Sequence, residues 1–238
     1  MQRYFVGDEA VNENRIAISG GDFHHIRNVM RMNIGDELVV TTFSGSSFKT
    51  RISSFNKGEV VVEIIERLNQ SDNTLNISLA QALIRRENFE LVLQKATELG
   101  VREIFPLKTE RQVIKLEDIS KKKFRYEAIV KEASEQSERA KMPIIRDLST
   151  IESLPYHEYD HILIAYARHD AREFKSIISQ ISSDKKVLVL VGPEGGFSER
   201  EIEFLKTKGQ LVLLGDTILR SETAGIYIVS AFRFIWGG

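Results

Sequence analysis

The chain contains no cysteine, which excludes disulfides and thiolate-held zinc and fits a reducing compartment. It also lacks a membrane-length apolar run, since the stretch Ile162 to Ala167 is far too short to cross a bilayer. The opening Met1-Gln2-Arg3-Tyr4-Phe5-Val6 gives way at once to Gly7-Asp8-Glu9. No signal-peptide core develops there, and a cytoplasmic location is expected. An excess of charge of one sign is missing too, with 33 Lys and Arg against 34 Asp and Glu. The formal net charge is −1, so no global field gathers a polyanion, and nucleic-acid binding would need local patches. Internal repeats and low-complexity tracts are likewise absent.

What is present is an ordinary globular composition, 42% hydrophobic and 28% charged over 238 residues. That length suits one large domain or two smaller ones, each with its own core. Residues 1 to about 66 carry short β-branched or aromatic runs: Tyr4 to Val6, Arg15 to Ile18, Glu37 to Thr42, Phe48 to Ser54 and Glu59 to Ile65. Turn chemistry at Asn12-Glu13-Asn14, Ser44-Gly45-Ser46-Ser47 and Asn56-Lys57-Gly58 separates them. The pattern predicts a small barrel or sandwich. One helix is expected inside it, from about Asp22 to Met32, with Phe23, Ile26, Val29 and Met30 on one face.

The polar segment Glu66 to Thr74 is the best boundary, dividing the chain into domains 1–70 and 71–238. Beyond it, strands alternate with helices. Strands are expected at Leu75 to Ile84, Val101 to Leu107, His161 to Tyr166 and Lys186 to Val191, with a further apolar run from Leu211 to Leu214. Helices are expected at Glu87 to Leu99 with Gly100 as its stop, Lys121 to Arg139, residues 170–182, Ser198 to about Lys208 behind a capping box, and Glu222 to Trp236. Such alternation predicts an α/β domain, a mostly parallel sheet with helices on both sides.

Two glycine-bearing loops follow apolar strands near the C-terminus, Val191-Gly192-Pro193-Glu194-Gly195-Gly196-Phe197 and Leu214 to Ala224. Read as the ends of neighbouring strands, they lie where open α/β sheets bind ligands. The first is neither a P-loop, lacking Gly-Lys-Ser/Thr, nor a Gly-x-Gly-x-x-Gly fingerprint. In the second, Ile218 and Leu219 sit among polar neighbours, so they wrap either a ligand or the core. Glu222 there is a helix-start carboxylate or a functional group, and Arg220 a surface cation or a functional one. His24-His25 do not share a helix face and lack further ligands, so no metal is expected. Basic clusters at Arg27 with Arg31, Arg85 with Arg86, Lys121-Lys122-Lys123 with Arg125, and Lys141 with Arg146 are each most often a solvated face.

These loops and their spacing resemble the SPOUT class of S-adenosylmethionine-dependent RNA methyltransferases. The likeness to the bacterial 16S ribosomal RNA uridine-N3 methyltransferase family runs nearly end to end. It is carried by Arg3-Tyr4-Phe5, His24 through Arg31, Gly35-Asp36, Lys95 through Val101, Thr109-Glu110-Arg111, Glu132 through Arg139, Gly192 through Ser198 and Ile218 through Ala224. The resemblance implies an N-terminal PUA-like β-barrel that binds RNA, and a C-terminal α/β domain tied in a trefoil knot. It also implies a homodimer and a small-subunit RNA partner near the decoding centre, while the residues themselves give no reason to expect a membrane or metal partner.

S-adenosyl-L-methionine would be held mainly by the main chain of Val191, Gly192, Gly196, Leu214, Gly215, Ile218 and Leu219. Arg220 and Glu222 are the candidate catalytic pair. His25, Arg27, Arg31, Arg85, Arg86 and Arg139 are the candidate RNA-binding residues, Arg139 coming from the partner subunit. Thr217 stands where many members carry arginine, so no arginine role is assigned there. Two other readings stay open at this level: a related enzyme acting on another RNA target, and a non-catalytic RNA-binding adaptor.

Overall fold

A computed structural model describes residues 1–69, 74–112, 119–167 and 171–237, without the side chains of 119–121. Part of the expected boundary (70–73), the first residue of the expected helix 170–182 and the Lys121 side chain therefore lie outside the described residues. The chain forms two compact units, one of residues 1–73 with 134–142 and one of 74–133 with 143–238.

The first unit is built on β1 (Arg3–Val6), β2 (Val11–Asn12), β3 (Arg15–Ser19), β4 (Glu37–Thr42), β5 (Ser47–Asn56) and β6 (Glu59–Leu68). They pair in the order β1-β4-β5-β6-β3-β2, antiparallel except for β1 with β4. Strand β3 shows why alternation works as a signal. Ile16 and Ile18 are fully buried, while Arg15, Ala17 and Ser19 face outward. The inward residues join Tyr4, Val6, Leu38, Val40, Ile52, Val60 and Val62 in one core.

The helix expected over Asp22 to Met32 is shorter and differently wound. Helix α1 (Gly20–His24) runs into a wider π-type turn over His25–Val29, closed by Met30 N–H donating to the His25 carbonyl at 2.9 Å. Arg31 then takes a left-handed φ of +52° and ends the helix. Only Ile26 of this turn is buried, and Val29 and Met30 stay exposed.

The second unit holds β7 (Ile77–Ala82), β8 (Glu103–Lys108), β9 (Ile144–Ile145), β10 (Ser149–Thr150), β11 (His161–Ala165), β12 (Arg172–Glu173), β13 (Val187–Val191) and β14 (Gln210–Leu213). The sheet order is β10-β8-β7-β13-β11-β14-β12, with β9 also on β8, and every pairing is parallel. Strand β13 is apolar and buried at all five positions, as a strand covered on both faces must be. Leu188 and Leu190 turn to a core shared with Phe105, Ile164, Ile202 and Leu205. The opposite face of β7 and β13 meets α6 (Ser221–Trp236), which also packs on α2 (Arg86–Glu98).

Helix α2 ends at Gly100, whose φ of +99° suits the left-handed stop expected there. Helix α3 (Ile119–Gln136) ends sooner than expected, before Glu138 at φ +53°, so Arg139 lies beyond it. Glu90 of α2 is clamped by Arg125 of α3 and by Arg86, which hold its carboxyl down to about 2. The helix expected over 170–182 shrinks to α4 (Phe174–Ile178). Serine hydroxyls there bond nearby carbonyls, Ser176 to Glu173 at 2.8 Å and Ser179 to Ser176 at 3.3 Å, which competes with helix propagation. Helix α5 (Glu199–Lys206) begins with the expected capping box. The Ser198 N–H donates to Glu201 at 2.7 Å, and the Glu201 N–H donates back to Ser198 Oγ at 3.2 Å.

Gly209, just before β14, sets the position of that strand. A Cβ there would stand 2.4 Å from the Ile162 carbonyl oxygen and 2.6 Å from the Ile162 Cβ. Gly209→Ala is expected to cost about 1–3 kcal/mol by overpacking, read as a lowered midpoint in urea unfolding. An unchanged midpoint would show that β14 moves freely away from β11.

Candidate active site

The two glycine loops do not follow neighbouring strands, as their sequence suggested. Strand β11 lies between β13 and β14. The loops still meet across its end, because Ala165, Tyr166 and Ala167 continue into the space between them. The Tyr166 N–H donates to the Val212 carbonyl at 2.9 Å and holds this segment in place. Together the three strand ends, with flanking residues, enclose a cleft of about 1190 Å³. That exceeds the roughly 300–1,000 Å³ usual for a single small-molecule pocket.

The first wall is the loop after β13. Gly196, at φ +65°, lets the chain turn back so that its N–H bonds the Pro193 carbonyl at 2.9 Å. Gly192 packs so closely that a Cβ would sit 3.2 Å from the Phe197 ring and 3.3 Å from the Phe197 nitrogen. Phe197 itself is buried in the core, so it anchors the loop from behind. The second wall is the loop after β14, turned by Gly215 at φ +145°. Its Ile218 is 83% exposed, an apolar side chain set at the cleft rather than in the core.

Helix α6 ties these walls together. Ser221, its first residue, is buried and donates to the Gly192 carbonyl at 2.5 Å. It accepts from the Gln81 amide of β7 at 2.8 Å. Gln81 lies beside Val191 in the β7–β13 register, so the bond chain crosses from sheet to helix to loop. Glu222 follows in the first turn, where the helix dipole favours negative charge. It is 8% exposed, and its Oε2 has no hydrogen-bond partner. Arg220 precedes the helix in extended conformation, exposed and without an ion pair among the described residues.

Of the residues expected to hold a cofactor, Val191, Gly192, Gly196, Leu214, Ile218 and Leu219 line the cleft, and Gly215 shapes the loop behind the wall. Arg220, Glu222 and Arg85 line it as well. Arg86 does not; it pairs with Glu90 at 2.8 Å. Arg139 is buried in the first unit, its N–H on the Ser134 carbonyl at 3.0 Å.

His25, Arg27 and Arg31 belong to the first unit. The His25 ring bonds the Tyr4 hydroxyl at 3.0 Å. The Arg27 guanidinium lies 5.0 Å over the Phe55 ring, beside a shallow pocket that also includes Arg31, Asn33 and Ile34. Arg31 is one of three non-glycine residues with positive φ among those described, a conformation that costs about 1–2 kcal/mol.

Sequence reasoning missed Tyr166 and Ala167, because nothing in a strand's own pattern tells which strand it will lie beside. It also missed Asn88 and Arg111 as cleft residues, and Gln81 and Ser221 as the bond chain beneath it. Among the described residues no three His, Cys, Asp or Glu side chains gather as a metal site.

A parallel sheet with a cleft at its carboxyl edge, walled in part by glycine loops and closed by the first turn of a helix, defines a ligand-binding α/β domain of the kind that holds nucleoside-containing cofactors. The chain belongs to the RNA methyltransferase domain family, whose model matches residues 71–233; a second model, the RNA methyltransferase PUA domain, matches 18–65. It is 34% identical to ribosomal RNA small subunit methyltransferase E of Bacillus subtilis, covering 98% of this chain and 96% of that one. It is 33% identical to the Aquifex aeolicus protein of the same name, covering 91% and 93%. The crystal structure of ribosomal RNA small subunit methyltransferase E from Neisseria gonorrhoeae, bound to S-adenosyl methionine, is 26% identical. It superposes with a TM-score of 0.85 over 99% of this chain and 98% of that one.

The bond chain under the cleft is open to test. Ser221→Ala would leave the Gly192 carbonyl without its donor and the Gln81 amide with only its longer bond, 3.3 Å to the Ala82 carbonyl, at a cost of about 1–3 kcal/mol. Urea unfolding should show that loss, and unaltered stability would mean that other groups hold the first loop.

Proposed function

We propose that this chain is a cytoplasmic enzyme that methylates N3 of a specific uridine in 16S ribosomal RNA near the decoding centre, using S-adenosylmethionine on the small subunit. The observation that carries the reading is the cleft walled by the two glycine loops, seen in a chain similar from end to end to ribosomal RNA small subunit methyltransferases. The fit to the cofactor rests on this chain's own residues. Gly192 and Gly196 bring main chain to the wall where a side chain would intrude or strain, and Ile218 and Leu219 offer apolar cover to an adenine or a thioether.

When bound, S-adenosylmethionine supplies an activated methyl group. The protein's task is then to make uracil N3 a nucleophile. That nitrogen carries a proton, and losing it spreads negative charge onto the flanking carbonyl oxygens. The free Oε2 of Glu222 is the acceptor this step needs, held in a buried position with no competing donor. The Arg220 guanidinium, two residues before it and without an ion pair among the described residues, stabilises the oxygen charge. Holding base and donor in line supplies much of the remaining acceleration.

The reading extends to architecture and assembly. A trefoil knot is supported by the path of the chain. After β14, on the far side of β11, it returns across the strand ends to place Ser221 on Gln81 and Gly192. A homodimer is supported by the outer face of α6, where Tyr227, Phe234 and Ile235 are exposed, Phe234 to 88%. RNA contact by the first unit is supported by Arg27 and Arg31 around Phe55.

Mass-spectrometric mapping of methyl incorporation into small-subunit RNA tests the reaction. Label at N3 of one uridine is expected; label on another atom, or none, would overturn the assignment. Glu222→Gln should lower kcat by about 10²–10⁴ while leaving the calorimetric affinity for S-adenosylmethionine unchanged. A fully active variant would remove Glu222 as proton acceptor. Replacing Arg27 and Arg31 by glutamine should weaken RNA binding and flatten its salt dependence, at unchanged cofactor affinity. An unaltered salt titration counts against the first unit as an RNA surface.

A further inference from the structure

The cleft is larger than one nucleoside-sized ligand requires, and the strand order divides it. Along the carboxyl edge the strands run β8-β7-β13-β11-β14. The walls assigned to the methyl donor come from the ends of β13, β11 and β14. Two further lining arginines stand on the other side of the first glycine loop. Arg85 follows β7 at the start of α2, and Arg111 follows β8. The Arg220–Glu222 segment lies over the seam, since Ser221 bonds both Gln81 of β7 and Gly192 after β13.

These two arginines differ from their neighbours in what they lack. Arg86 and Arg125 are paired with Glu90, Arg146 with Glu103 and Arg200 with Glu110. Neither Arg85 nor Arg111 forms an ion pair among the described residues. Arg111 is nonetheless placed with care. The turn that carries it is pinned by the Thr109 N–H on Gln112 at 3.1 Å and the Glu110 N–H on Glu201 at 2.8 Å. One nitrogen of its guanidinium reaches the Gly195 carbonyl at a long 3.4 Å, leaving most of the five-donor fork free. Beside Arg85, Asn88 also lines the cleft, within the first turn of α2, where unpaired N–H groups favour an anion.

We infer that Arg85 and Arg111 form a phosphate clamp on the β7–β8 side of the cleft, gripping the RNA backbone beside the target uridine while the methyl donor occupies the β13–β11–β14 side. This rests on the methyl-transfer reading and extends it to how the substrate is presented. A guanidinium fork matches a phosphate bidentately, and a clamp on the backbone holds a base that has left its stack. With Arg220 and Glu222 on the seam, the target nitrogen would meet the donor at the boundary between the two halves.

The test is a salt titration of binding to isolated small-subunit RNA by filter retention, with cofactor affinity measured by calorimetry on the same preparations. Each of Arg85→Gln and Arg111→Gln should reduce the slope of log affinity against log salt by about 0.7, and the double variant by about twice that, as expected for single strands. Cofactor affinity should stay at the wild-type value, which also shows that the variants fold. Arg111→Lys, which keeps the charge, should keep the slope. An unchanged slope in the double variant overturns the clamp. So does weakened cofactor binding at unchanged slope, which would assign the arginines to the donor's carboxylate instead. Methyl transfer by the wild-type protein separates the two levels: its absence sinks the methyltransferase reading, whereas its presence beside unchanged slopes sinks only the clamp.

Discussion

Gln81, Ser221 and the Gly192 carbonyl form a buried bond chain on which the site's geometry depends. Gln81 sits on a strand whose every residue is buried, and its amide would be costly there without an acceptor. Ser221 supplies the shorter bond, 2.8 Å against 3.3 Å to the Ala82 carbonyl, and donates its own hydroxyl to the carbonyl that begins the first glycine loop. The consequence is positional. The first glycine loop, a wall of the cleft, is registered against the sheet, and so is the helix that carries Glu222. Gly225, one turn further along α6, has no side chain because Gln81 Oε1 would lie 2.6 Å from it. The close approach of helix to sheet and the bond chain are therefore one constraint, expressed at two positions.

The parallel sheet explains why so much function gathers on one edge. Every strand that enters from the same side delivers its following helix with the N-terminus at the same end. Here α2, α5 and α6 all begin at the cleft, with Asn88, Glu199 and Glu222 in or near their first turns. Free N–H groups at those ends create a field favourable to anions. Such a field suits a carboxylate group on a cofactor and a phosphate on RNA, and it also keeps a buried carboxylate such as Glu222 tolerable. The glycine loops are then less a motif of side chains than a way of letting the main chain reach that field.

Much of this was legible because it is local. Buried strands announced themselves as apolar runs, the α5 capping box as Ser-x-x-Glu, and the α2 stop as Gly100. The cleft's two loops were visible from glycines following apolar strands. What periodicity does not encode is which strand lies beside which, so β11 was not expected between β13 and β14, and Tyr166 and Ala167 escaped notice. Side chains working through contacts distant in sequence were equally hidden: Gln81 and Ser221 are 140 positions apart. The shortened α1 and α4 failed for a different reason. Their apolar faces read as helical, but a π-type turn closed by Arg31 and serine side chains bonding carbonyls altered the backbone locally.

A near-neutral chain that engages RNA must do so through short-range fields, and the arrangement of arginines fits that condition. With a screening length of about 8 Å at physiological ionic strength, distant charges contribute little to holding a phosphate, and only cations left unneutralised at the contact count. Five arginines are neutralised at once: Arg15, Arg51, Arg86, Arg125 and Arg146 each face a carboxylate within 3.2 Å. Arg27, Arg31, Arg85, Arg111 and Arg220 face no carboxylate among the described residues, two at the pocket beside Phe55 and three around the cleft. Binding built on so few contacts gains little from long-range attraction and most from precise placement. Placement is what the pinned Thr109–Gln112 turn and the Ser221 bond chain provide.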